Sequence, residues 1–150
     1  MKVKHSTTNF KALEPFLKVV EENDGYAKFV SEGYMDLSME KLWYSDHEGN
    51  PVYSICHYGE MNGDLMRDPE MTFSVNWDEK TILPLSFQND YMGFFIEYFV
   101  YRNGKLAGYR PRWLHDGDDF LWTWGKNLAE QGFTPENRKE QNYTVTEWNI

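Results

Sequence analysis

The chain has 150 residues, 41% of them apolar and 17% aromatic, and carries a formal net charge of −9. That length supports one buried core, so a single domain over 1–150 is expected, with 134–150 as a polar C-terminal segment. The acidic balance works against nucleic-acid grooves and anionic membrane surfaces, and the single cysteine, Cys56, together with the lack of any apolar run near ~18 residues, sets a cytoplasmic, reducing location as the expectation.

In chain order, Phe10, Leu13, Leu17 and Val20 recur at helical spacing over 8–22, with Thr8 or Asn9 as cap. Pro15 predicts a kink or a second helix opening at Glu14, because proline lacks an amide donor. Asn23, Asp24 and Gly25 stop the helix. From Tyr26 the period becomes two: Met35, Leu37 and Met39 alternate with Asp36, Ser38 and Glu40 until Lys41, Leu42 and Trp43 break the pattern and predict a bulge. A turn cluster from Ser45 to Pro51 returns the chain as an antiparallel strand from Val52 to Tyr58. This strand reads as apolar on both faces and is therefore placed centrally.

Residues 57–70 are predicted to leave that strand as a polar loop punctuated by Gly59 and Gly63 and to enter the next strand near Met71. The candidate ligand-binding residues are His57, Tyr58, Glu60, Asn62, Asp64 and Arg67. Asp64, Asp68 and Glu70 are candidate metal ligands, since a hard divalent cation takes several carboxylate and carbonyl oxygens. The spacing matches no EF-hand loop, and Asn62-Gly63 and Asp68-Pro69 are also ordinary turn formers. No cofactor is predicted, with a divalent cation left open. Asp68 is expected on loop amides, Arg67 on a nearby acid, and Glu60 and Asp64 at the mouth of a cleft.

Met71, Phe73, Val75 and Trp77 define a further strand, and Ile82 to Phe87 another, in which Pro84 predicts an edge or a bulge. Asn103-Gly104 predicts a two-residue type I′ hairpin within 94–113, with Arg102 opposite Lys105, Tyr98 opposite Tyr109 and Glu97 opposite Arg110. Arg102, Lys105, Arg110 and Arg112 then form a local basic island. Asp116 to Asp119 reads as the acidic opening of a second helix carrying Phe120, Leu121, Trp124 and Leu128 to a stop at Gly132, and Tyr143 to Trp148 as a short strand. Together these elements predict an α+β fold: a mainly antiparallel sheet of about five to seven strands with an N-terminal and a C-terminal helix packed on it.

Catalytic templates are missing. There is no phosphate-cradling glycine loop, no G-x-S-x-G, no His-Glu-x-x-His and no cysteine pair, and Cys56 and His57, as strand neighbours, point to opposite faces. Residues Ser31 to Leu37, followed by His57 to Met71, resemble an uncharacterised bacterial domain family of conjugative-transposon, plasmid and phage genes, over most of 26–133. The resemblance implies a mobile-element neighbourhood and no mechanism. The leading expectation is a non-enzymatic binding or accessory domain for a protein or small ligand, with a homodimer open. The alternatives are a metal-assisted hydrolase using His57, Glu60, Asp64, Asp68 and Glu70, and an acidic DNA mimic, for which −9 is a modest charge.

Overall fold

The computed structural model describes residue 3 and residues 5–139. Two helices, α1 (Thr7–Glu22) and α2 (Pro111–Glu130), cover one face of a six-stranded antiparallel meander whose strands pair in the order β1 (Tyr26–Phe29), β2 (Leu37–Ser45), β3 (Pro51–Met61), β4 (Asp64–Asn76), β5 (Thr81–Asn89) and β6 (Phe94–Glu97). A separate two-stranded ribbon, β7 (Phe99–Arg102) with β8 (Lys105–Tyr109), follows β6. The α+β layering and the burial of Phe10, Leu13, Leu17, Val20, Leu121, Trp124 and Leu128 are as the periodicity predicts. The expected strand at 143–148 lies outside the described residues.

Helix α1 is capped by Ser6, whose hydroxyl accepts from the Asn9 amide at 3.0 Å, rather than by Thr8 or Asn9. It runs unbroken through Pro15. An interior proline costs about 3 kcal/mol, but burial of Phe10, Leu13, Phe16, Leu17 and Val20 on the sheet, at roughly 1.5–3 kcal/mol each, outweighs it. Pro15 sits on the exposed side of the helix, away from those buried residues. Helix α2 opens at Pro111, five residues before the predicted acidic start. Proline suits the first helical position because its missing amide would be unpaired there anyway. Asp116 and Asp119 therefore belong to the body of the helix, and Asp118 accepts from the side-chain amide of buried Asn9 at 3.0 Å, tying α2 to α1.

Register builds two unlike faces. One cross-strand row, Met39–Ile55–Met71–Phe87–Ile96, is apolar along its whole length and faces the helices. The adjacent row, Glu40–Ser54–Thr72–Ser86–Glu97, is polar along its whole length and faces away from them. Strand β3 is central as predicted, but only its helix-side face is continuously apolar. The break at Lys41 is a register shift, also as predicted. Pro84 sits at a bulge: Thr72 pairs with Ser86 and Phe73 with Pro84, leaving Leu85 as the extra residue, while β5 itself is flanked on both sides.

Two hairpin expectations are corrected. Residues 57–70 are not a loop. Strands β3 and β4 stay paired down to Met61–Asp64 and turn through Asn62-Gly63, whose φ angles of 53° and 84° are those of a type I′ turn. The glycine- and charge-rich sequence belongs to a hairpin projecting beyond the core, where the strands need no apolar face. In the second hairpin Arg102 does pair with Lys105 across Asn103-Gly104, but Ala107 is extra. Tyr109 therefore meets Phe99 instead of Tyr98. Tyr98 leaves the ribbon, donates its amide to the Leu85 carbonyl at 2.9 Å and buries its ring against Gly117. Arg110 donates to the main-chain oxygen of Glu97 at 2.7 Å, not to its carboxylate, and Pro111 to Trp113 belong to α2.

Candidate functional site

The hairpin disperses the residues that the sequence groups together. His57 points to the helix side, where its ring lies 5.5 Å from Trp124 and 5.8 Å from Phe133 and its Nδ1 is 3.1 Å from the Asp36 carbonyl. Burial there lowers its pKa, against the opposing pull of that carbonyl. Tyr58 faces the other way, and desolvation pushes its phenol up to about 12. Glu60, Asn62 and Asp64 stand exposed at the hairpin tip. Arg67 pairs with an acid as expected: its Nε and its amide both donate to Asp90 Oδ2, at 2.9 and 2.8 Å. Asp68 is not spent on loop amides. It accepts from the Asn89 side-chain amide at 3.0 Å, beside a cis Asp68–Pro69 bond. Among the described residues, no three His, Cys, Asp or Glu side chains are grouped to hold a metal ion. Cys56 is buried, and desolvation raises its thiol to about 12, as expected of a packed side chain and not of a nucleophile.

Of the candidate residues, Glu70 lines a large cleft. The polar face of the sheet and the β7–β8 ribbon enclose a cleft of about 790 Å³. Its floor is the polar row: Ser54, Thr72 and Ser86 present hydroxyls, Glu40 and Glu97 close the two ends, and Glu70 stands in the neighbouring row between Cys56 and Gln88. Thr72 Oγ1 and Ser86 Oγ share a hydrogen bond. Tyr44, Phe95, Phe99 and Tyr101 supply aromatic walls and roof, and Lys105 sits on the rim. Phe99 anchors the roof, buried to 3% exposure with its ring 4.8 Å from His47.

The cleft carries negative potential. Burial chiefly, then Asp90 and Glu40, raises the Glu70 carboxyl above the ordinary range, with Arg67 pulling the other way. Tyr44 is raised by desolvation and then by Glu70 and Glu97. Tyr101 is raised by desolvation and then by Asp46 and Glu97. Two polar atoms in the lining lack partners among the described residues. Asp46 Oδ2 is buried without a hydrogen bond, although its Oδ1 accepts from the Glu48 and Asn50 amides. Ser54, at 7% exposure, makes no side-chain hydrogen bond among the described residues. Sequence reading missed this site because its residues are spread from Glu40 to Leu106. The available signal was the polar alternate positions Ser54, Thr72 and Ser86 in strands that are otherwise apolar.

A family model described as a domain of unknown function (DUF6908) matches residues 8–134, and the chain belongs to that family. No curated protein and no solved structure shows significant similarity to it.

Proposed function

We propose that this member of a family without an assigned activity is a binding domain whose ligand site is the cleft between the polar sheet face and the β7–β8 ribbon. The observation that carries the reading is the continuous polar row Glu40–Ser54–Thr72–Ser86–Glu97 under an aromatic roof, in a cleft of about 790 Å³. A sheet face without a ligand role needs only to be wet. Here it is roofed by a ribbon, so the floor hydroxyls and Glu70 are partly desolvated and line an open cleft. Small-molecule sites combine apolar and aromatic walls with a few convergent polar groups, and this cleft has both. An accessory role on a mobile element is the setting that the resemblance of residues 31–37 and 57–71 supports.

A fragment library screened by two-dimensional amide NMR tests the site. Shifts are expected at Ser54, Thr72, Ser86 and Tyr101, with the amides of Glu60 to Asp64 unmoved. Shifts confined to the hairpin tip would move the site there and end this reading.

A further inference from the structure

We infer that the cleft takes an elongated organic cation carrying more than one ammonium group, of the linear polyamine class. The inference rests on the cleft being the ligand site and adds the chemistry of what fills it. Glu40, Glu70 and Glu97 all line the cleft, and among the described residues none of them forms an ion pair and Lys105 on the rim is the one lysine or arginine in the lining. Their spacing decides the kind of cation. Glu40 on β2 and Glu97 on β6 are the two ends of a row four strand spacings long, roughly 19 Å at about 4.8 Å per strand. No single ion reaches both. A chain of methylenes with ammonium groups along it does, and Glu70 on β4 meets it midway.

The other surfaces fit the same ligand. Tyr44, Phe95 and Tyr101 offer π faces to ammonium groups and apolar area to the methylenes between them. The Ser54 hydroxyl, at 7% exposure and without a side-chain partner among the described residues, accepts a hydrogen bond, and an ammonium group is a donor with no acceptor to place. A phosphate or carboxylate ligand would instead meet three carboxylates, of which Glu70 is partly desolvated.

Proton linkage follows from Glu70, which must be ionised to hold a cation. The groups acting on its carboxyl are Glu40 and Tyr44 from β2, Cys56 and Tyr58 from β3, Arg67 on its own strand, and Asp90 after β5. Because its pKa stands above the ordinary carboxyl range, a bound cation lowers that pKa and releases a proton, and affinity falls as pH is lowered through the raised value.

The test is calorimetric titration of the whole chain with spermine, propylamine, glucose and inorganic phosphate at constant moderate ionic strength, repeated for two variants with the same charge change. Spermine is expected to bind, to bind more tightly than propylamine, and to lose about tenfold in affinity for each carboxylate removed in Glu40→Gln/Glu97→Gln. The hairpin-tip variant Glu60→Gln/Asp64→Gln is expected to match the unmodified chain. Equal losses in both variants would reduce the effect to the overall negative charge and overturn the inference. Glucose or phosphate binding in the cleft, with spermine silent, would overturn it while leaving the cleft as the site. Silence from all four probes and from the fragment library would remove both.

Discussion

Replacing Phe99 by Ala is expected to cost about 3–5 kcal/mol of folding stability, the range for truncating a buried phenylalanine. Phe99 is the single buried side chain of the ribbon, 3% exposed, with its ring 4.8 Å from His47 and 6.2 Å from Tyr109. Among the described residues the ribbon shares no ladder with the main sheet, so this packing and the Tyr98 amide bond to Leu85 hold the roof over the cleft. Denaturant unfolding measures the cost, and amide exchange in residues 99–109 should accelerate more than in β3 or β4. The comparison is Phe95→Ala. Phe95 also lines the cleft but is 55% exposed, so its loss should change stability by no more than about 0.5 kcal/mol while still weakening ligand binding. Equal destabilisation by the two variants would mean that Phe99 does not anchor the roof.

Gly117→Ala is the second large effect, and its sign runs against helix propensity. Inside a helix alanine is favoured over glycine by about 1 kcal/mol. At Gly117, however, a Cβ would stand 2.4 Å from the Tyr98 hydroxyl and 2.5 Å from its ring carbon Cζ, and Tyr98 is 2% exposed and cannot swing away. Overpacking of this kind costs about 1–3 kcal/mol, and the displaced Tyr98 is the residue at which the chain passes from β6 to the ribbon. A lower melting temperature is expected, together with perturbed amides in β7 and β8. Gly125, in the same helix, has only Ala12 Cβ at 3.3 Å, so Gly125→Ala should be clearly the milder change. If Gly117→Ala stabilises the protein, the Tyr98 contact does not constrain the helix.

The difference between these two glycines illustrates what sequence can and cannot carry. Period-two and period-3.6 patterns located both helices and the core strands, because each buried face repeats within a single element: Leu13, Leu17 and Val20 in one, Met71, Phe73 and Val75 in another. Asn103-Gly104 announced its hairpin for the same local reason. The identical Asn62-Gly63 signal is masked by its flanks, since Glu60, Asp64, Arg67 and Asp68 read as loop when the strands they occupy extend past the buried core. The Ala107 slip was beyond reach, because a one-residue bulge leaves turn chemistry untouched and changes only what lies after it. The cleft is a register property. Alternation tells that Ser54, Thr72 and Ser86 share the polar side of their strands, but only the pairing of five strands aligns them with Glu40 and Glu97. Glu70 lies near Asp64 and Asp68 in sequence, yet in space it belongs with Glu40 and Glu97, acids 30 and 27 residues away.

Whether the polar row or the hairpin tip holds the ligand is decided by blocking one and stripping the other. Thr72 is the middle residue of the row, and Thr72→Trp would fill the floor of the cleft without touching the helix-side core. For any fragment that shifts the amides of the unmodified chain, NMR titration of the Thr72→Trp variant should show binding abolished, provided the β3 and β4 core amides keep their native positions. The Glu60→Ala/Asp64→Ala variant should retain full affinity. Unchanged binding in Thr72→Trp, or loss of binding in the hairpin-tip variant, would contradict the assignment of the cleft as the site.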